Sequence, residues 1–268
     1  MIFVWTGHIL AIVITIKTKE EIEILREGGR RLAFIMEAIT KKIKPGVSTA
    51  DLNKLADTLA REKGDVPTVL NYRPKGASRS YPASTCISIN DEVVHGIPNE
   101  NPKILKEGDI VTFDMCLTHK GLITDSAITV PVGKIDASAK KLIEVTKEAL
   151  NAGIKAARGG KHIGDIGYAV EKVAKSNGFS VVEDLCGHGV GYKVHEDPYV
   201  PNYGEKGRGE KLKPGMVIAM EPMLNEGAKD VMLDKDGYTY RTADRKRSAH
   251  FEHTIVITSG EPDILTKI

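Results

Sequence analysis

Apolar residues at Leu52, Leu55, Ala56, Leu59 and Ala60 repeat at the i, i+3, i+4, i+7, i+8 spacing of one helical face. The same spacing returns at Ile166, Ala169, Val170, Val173 and Ala174, 114 residues later at every position. Gly46 and Gly160, Asp51 and Asp165, and Gly64 and Gly178 keep that offset, the glycines lying where a helix should start or stop. A longer helix is expected before each of these. One runs from Thr18, with Glu21 placed for a capping box, to about Ile43; the other runs from near Asp136 to about Ala157. Downstream, LKEGDIVTFD (Leu105–Asp114) resembles LKPGMVIAME (Leu212–Glu221) at an offset of 107. Two such pairs in the same order point to an internal duplication. Each half reads as helix, helix, then strands. The pattern predicts an α+β architecture of two pseudo-twofold halves, with helices on one side of a curved antiparallel sheet. The fall in offset from 114 to 107 predicts extra residues in the first half, near Arg73–Ser80. No flexible linker separates the halves, so residues 17–268 are expected to form a single domain.

Residues 1–16, MIFVWTGHILAIVITI, are apolar and β-branched but too short for the ~20 residues of a membrane helix. They lack a basic leader and a cleavage site, so they read as a strand or an upstream extension. The chain has 268 residues, 41% apolar and 28% charged, with a net charge of +2. That composition suits a folded domain and leaves no global footprint for specific nucleic-acid binding. Three cysteines, Cys86, Cys116 and Cys186, without C-x-x-C spacing, fit a reducing cytosol and exclude a disulfide framework. There is no phosphate-binding GxxxxGK[ST] loop and no G-x-S-x-G elbow.

The informative residues are acids at strand ends. Asp114 and Glu221 close the repeated apolar segments, where burial disfavours a charge. Asp114 in IVTFDMCLT and Asp125 in LITDSAITV flank a short turn at His119-Lys120-Gly121. Counting outward from a His119–Lys120 loop places the two carboxylates directly opposite, where they repel unless a proton or cation lies between them. Glu252 opens the EHTIVIT strand, and His188 sits among the glycines of CGHGVG. One histidine with four carboxylates is an oxygen-rich set that suits a pair of divalent ions better than a tetrahedral structural zinc. His95 in VHGIP and His195 in VHEDP share V-H-x-x-P, one in each half. Such histidines serve equally as structural residues before a turn or as donors to an oxyanion and proton shuttles. His250 and His253 carry no such pattern and read as structural.

The ordered set VHGIP, FDMCLTHKGLITDS, CGHGVG, MEPM and FEHTIVIT resembles the type I methionine aminopeptidases, from about Lys17 to Leu265. The resemblance implies the pita-bread fold and removal of the initiator methionine from nascent polypeptide N-termini. It implies a dinuclear centre of Co, Mn, Fe or Zn on Asp114, Asp125, His188, Glu221 and Glu252, with Asp125 and Glu252 bridging. It gives Glu221 the role of proton acceptor and places His95 and His195 at the substrate. It puts Cys86 and Tyr81 in the methionine pocket and, more remotely, Asn90 and Ser248 near a monovalent cation. A cytoplasmic monomer, working near the ribosome and away from membranes, is expected. The 33 residues from His188 to Glu221 leave no room for the insertion of type II enzymes. Prolidases and X-Pro aminopeptidases share the metal set but carry an extra N-terminal domain, and non-catalytic pita-bread binding modules lose ligands that this chain keeps. The pocket departs from the family pattern at Val194 and Tyr238, where Phe and Trp are usual, and Asn71–Ser80 is longer. Relatives begin near Ile14, so Met1–Val13 is expected to be an extension or a misplaced start.

Overall fold

The computed structural model describes residues 13–267. Most of the apolar N-terminal strand expected over residues 1–16 lies outside them. Of that stretch, Ile14 bridges Asp197 and the Val13 N–H donates to the Asp197 carboxylate at 2.9 Å.

The first half comprises α1 (Lys19–Thr40), α2 (Thr49–Glu62), β1 (Val66–Pro67), β2 (Cys86–Ile89), β3 (Glu92–Val94), β4 (Ile110–His119) and β5 (Leu122–Pro131). The second opens with α3 (Ala137–Ala156), α4 (Ile163–Ser176), β6 (Ser180–Val181), β7 (Cys186–Gly189) and β8 (Glu196–Pro201). It continues with β9 (Val217–Met220), β10 (Met223–Asn225), β11 (Val231–Leu233), β12 (Tyr240–Thr242), β13 (Ser248–His250), β14 (Glu252–Val256) and β15 (Asp263–Ile264). The capping box forms: Thr18 accepts the Glu21 N–H at 3.2 Å, and Glu21 accepts the Thr18 N–H at 2.8 Å. Asp136 caps α3 through the Ala139 N–H at 2.8 Å. α1 stops at Thr40, short of Ile43, because the chain turns at Lys41–Lys42 ahead of Pro45, which cannot continue a helix.

The duplication is visible in space. Gly46 and Gly160 have φ of 89° and 86°, and donate to the carbonyls of Leu105 and Leu212 at 2.8 and 2.9 Å. Those four residues carry both sequence offsets. The first half does hold extra chain: 18 residues separate β1 from β2, against four between β6 and β7. That excess is larger than the offsets alone suggest, because a longer stretch before β9 takes part of it back.

A nine-stranded sheet runs β1-β4-β5-β14-β9-β7-β8, with β2 also on β4 and β15 on β14. Phe113, Met115 and Leu117 of β4 pack with Leu32, Ile35, Ile39, Leu52 and Ala56 of α1 and α2. Ile218 and Met220 of β9 and Ile255 of β14 pack with Leu150, Ile154, Ile163 and Ile166 of α3 and α4. Each fully buried Leu or Ile contributes about 1.5–3 kcal/mol. At Gly153 of α3 an added Cβ would lie 2.7 Å from the Met220 sulfur, so this helix approaches the sheet closely. Strand side chains alternate, so Asp114, Cys116, Glu252 and Thr254 point to the face the helices leave open.

Candidate metal centre

β4 and β5 meet at Lys120–Gly121, with φ of 47° and 82°. Positive φ at both loop positions is the backbone of a type I′ turn. His119 therefore faces Leu122, Asp114 faces Ala127 and Cys116 faces Asp125. The loop lies one residue later than the expected His119–Lys120, so Asp114 and Asp125 are diagonal neighbours and not directly opposite. The register moves by two, which keeps both carboxylates on one face.

Two rows of side chains cross that face. In the first, Cys86, Asp114, Ala127 and Glu252 lie on adjacent strands β2, β4, β5 and β14. Glu221, one residue past the paired Met220, lies at the end of β9 beside Glu252. The second row runs Cys116, Asp125, Thr254, Ala219 and His188. Thr254 Oγ1 accepts from the Asp125 N–H and donates to the Asp125 carbonyl, both at 2.8 Å. Small residues at Ala127 and Ala219 leave space between the ionisable ones.

Oxygens of Asp125 and Glu252 and a ring nitrogen of His188 converge within 4.8 Å of one another. His188 Nε2 lies 3.4 Å from Glu221 Oε1. Its Nδ1 donates to the Gly189 carbonyl at 2.9 Å, which leaves the Nε2 lone pair facing the carboxylates in the ligating tautomer. The Cys116 thiol donates to Asp125 Oδ2 at 2.8 Å, but Asp125 Oδ1 and Glu252 Oε1 are buried without a hydrogen-bond partner. Burial pushes the pKa of Asp114 well up, and the Asp125 charge adds to it. Glu221 and Glu252 rise well above the usual carboxylate range by burial first, then by Asp125 and the other acids. Asp125 is also raised by burial, against the pull of His188 and the Cys116 thiol. Orphaned oxygens and mutually raised carboxylates fit an oxygen-coordinated divalent cation, whose charge resolves both.

His95 adopts a φ of 59°, uncommon for a residue with a Cβ and a form of strain concentrated at functional sites. Burial holds its ring well below the usual histidine pKa, with His195, His250 and His188 adding to the effect. His195 lies beside His188, its ring 4.5 Å from that of His188 and its Nδ1 3.1 Å from the Tyr72 hydroxyl. Its pKa is also lowered, by desolvation first and then by His188. The loop that carries it is pinned by Glu196, which accepts from Lys17 Nζ and Thr15 Oγ1 at 2.7 Å and from the Lys193 N–H at 2.9 Å.

Tyr81, Cys86, Ala83, Ile97 and Tyr238 form one apolar cluster, with Tyr81 and Tyr238 edge to face at 5.1 Å. The Tyr238 hydroxyl donates to the Arg79 carbonyl at 2.5 Å, tying the long 71–80 segment to this wall. Val194 packs in a different cluster with Cys116, Val190 and Val217, and Val69 touches both. Asn90 and Ser248 meet away from the carboxylates, where the Asn90 carbonyl accepts the Ser248 N–H at 2.9 Å. Asn225, opposite Ser248, keeps a buried amide oxygen without a partner. Surface hollows of about 740 and 490 Å³ lie elsewhere, between α3 and α4 and beside Arg241.

Sequence reasoning passed over two residues. Tyr72 carries no pattern, since it acts through a single hydroxyl contact with His195. His250, read as structural, lies buried with its Nε2 3.6 Å from Glu221 Oε2. Its nearness to Glu252 in the chain was the one available signal. His253 faces away from the site and pairs with Thr266 Oγ1 at 2.9 Å.

Carboxylates and a histidine gathered on one face of a duplicated sheet make a donor set suited to divalent cations. The chain belongs to metallopeptidase family M24, whose model matches residues 23–259. Its fold is the α+β pita-bread fold, and as a family member it is a hydrolase that uses divalent metal ions. It is 43% identical to methionine aminopeptidase 1 of Bacillus subtilis, over 94% of this chain and 98% of that one. The crystal structure of methionine aminopeptidase from Rickettsia prowazekii superposes with a TM-score of 0.90 at 40% identity, covering 95% of this chain and all of the other. Prolidase from Pyrococcus furiosus shares the fold at a TM-score of 0.72 and 24% identity, but this chain covers only 65% of it.

Proposed function

We propose that this chain removes the N-terminal methionine from newly made polypeptides. Two divalent ions, of Co, Mn, Fe or Zn, would be held by Asp114, Asp125, His188, Glu221 and Glu252. The observation that supports this reading is the pair of rows that puts these five side chains on one sheet face, with two orphaned carboxylate oxygens among them. Bound there, such ions lower the pKa of water and polarise a scissile carbonyl.

The remaining work belongs to the protein. Glu221 would accept the proton of the attacking water, in a site where burial and the neighbouring acids favour its protonated form. His195, oriented by Tyr72, would donate to the developing oxyanion, and His95 would assist delivery of the proton taken up by Glu221 to the leaving amine. The apolar wall of Tyr81, Cys86 and Tyr238 receives the first side chain, and aromatic edges favour a thioether. Asn90 and Ser248, with the unpartnered Asn225 oxygen, form the candidate monovalent-cation site.

No helix among the described residues is long and apolar enough to cross a membrane. We place the enzyme in the cytoplasm as a monomer that meets nascent chains near the ribosome. An X-Pro peptidase is the rival that the shared fold raises. Metal analysis of protein purified without added metal, with cleavage of Met-Ala-Ser against Ala-Pro-Ala, tests the proposal. Cleavage of Ala-Pro-Ala alone would overturn it.

A further inference from the structure

His250 is 1% exposed, and neither of its ring nitrogens has a hydrogen-bond partner. A buried polar ring left unpaired costs stability, and an apolar side chain would fill the same space without that cost. Its backbone is held from both sides: the His250 N–H donates to Thr129 Oγ1 at 2.9 Å, and Thr129 Oγ1 donates to the His250 carbonyl at 2.8 Å. The ring is therefore presented from a fixed strand, β13, opposite Met223 and next to the turn after Glu221.

What the ring faces is the Glu221 carboxylate. Glu221 Oε1 lies 3.4 Å from His188 Nε2, and Glu221 Oε2 lies 3.6 Å from His250 Nε2. The carboxylate is bracketed by two imidazoles, one on each oxygen. His188 presents a lone pair on its side, because its Nδ1 carries the proton given to Gly189. We propose that His250 is a positioning residue that presents an Nε2–H to Glu221 Oε2, fixing the carboxylate's rotation and leaving Oε1 for the ligand side. A shift of a few tenths of an ångström brings the pair within hydrogen-bond length. Partners of this kind, one bond removed from a ligand, typically change metal affinity or activity about 10–100-fold when lost.

This inference rests on the proposed metal-dependent peptidase activity. Wild-type cleavage of Met-Ala-Ser tests that activity separately, so failure of one is distinguishable from failure of the other. The variants are His250→Leu, His250→Gln and His250→Asn. Gln carries its amide nitrogen at the bond count of His Nε2, whereas Asn reaches only as far as Nδ1. The measurements are Mn²⁺ affinity and stoichiometry by calorimetry, Tm of the metal-free protein, and kcat and KM on Met-Ala-Ser. His250→Leu should weaken Mn²⁺ binding roughly 10–100-fold and lower kcat with little change in KM. Its metal-free Tm should stay near wild type, which separates loss of metal from loss of fold. His250→Gln should lie within about threefold of wild type in affinity and kcat, while His250→Asn should resemble His250→Leu. Wild-type affinity in the Leu variant, or equal losses in Gln and Asn, would overturn the proposal. Loss of a whole ion from both Leu and Gln variants would also overturn it, by making His250 a ligand in its own right.

Discussion

Stripping the metal should leave a carboxylate cluster that costs stability as pH rises, the opposite of the usual acid-side loss. Burial raises the pKa of Asp114, Asp125, Glu221 and Glu252 above the ordinary 3.8 or 4.5, and repulsion from neighbouring acids adds to it at Asp114, Glu221 and Glu252. Above about pH 4.5 the unfolded chain has released those protons while the metal-free fold still holds them. Stability then falls with pH until each folded-state pKa is passed. The buried histidines act in the other direction: His188 is lowered by burial, and burial pushes His250 to about 3. The fold keeps them neutral while the unfolded chain protonates them, so their contribution grows with pH and levels off above the ordinary 6.5. The buried thiols enter only near their ordinary 9.0. His95, His195 and His253 are lowered in the same way, so the wild-type slope mixes both kinds of group, and the carboxylate part is read against Glu252→Gln, which removes one titrating acid. In chelated samples scanned by calorimetry from about pH 4.5 upward, the wild-type Tm should fall with pH relative to that of Glu252→Gln. Saturating Mn²⁺ should abolish that difference by replacing the protons. A metal-free wild-type Tm that runs parallel to that of Glu252→Gln from about pH 4.5 to 8 would refute the electrostatic reasoning.

Asp114→Asn should reduce metal occupancy and abolish Met-Ala-Ser cleavage with an unchanged circular dichroism spectrum; full activity with metal retained would remove Asp114 from the ligand set. His195→Ala and His95→Ala should each keep both ions by elemental analysis while kcat falls roughly 10²-fold or more. Val194→Phe should press on Val69, which borders both clusters, and tighten the preference for Met over Leu and Phe first residues; a misfit of this kind is worth about 1–3 kcal/mol. Unchanged kcat/KM ratios across Met-Ala-Ser, Leu-Ala-Ser and Phe-Ala-Ser would place residue 194 outside the pocket.

What the chain shows on its own is what repeats. Helical periodicity at Leu52–Ala60 and Ile166–Ala174 needs only local spacing to be read, and capping at Thr18 and Asp136 needs only neighbours in the chain. An acid at the end of an apolar strand is likewise a local contradiction, so Asp114 and Glu221 stand out from their immediate neighbours alone. The hairpin register does not follow from spacing, because Lys120 and His119 are equally plausible as the first loop residue. The choice falls to whichever pair accepts two positive φ values, and Gly121 as the second member settles it at Lys120–Gly121.

Other features depend on strands distant in sequence. Ala127 is unremarkable among the small residues of LITDSAITV, yet it sits between Asp114 and Glu252, where its single methyl leaves the two carboxylates room to converge. His250 is informative only once β10 and β13 are paired and Glu221 is brought beside its ring. The place of Ala127 follows from the same alternation that exposes Asp114, whereas His250 comes from the separate β13-β10-β6 sheet. A sheet with one face covered by helices sends every second side chain to the other face, and the order β4-β5-β14-β9-β7 brings those side chains into rows. Since the register along each strand is held by the buried apolar side chains of the helix face, the spacing of the ligands is set by the core. A core substitution that slips β14 by two residues would keep Glu252 on its face and still carry it out of the row with Asp114. The candidate metal centre is thus held by Ile255 and its apolar neighbours as firmly as by the carboxylates themselves.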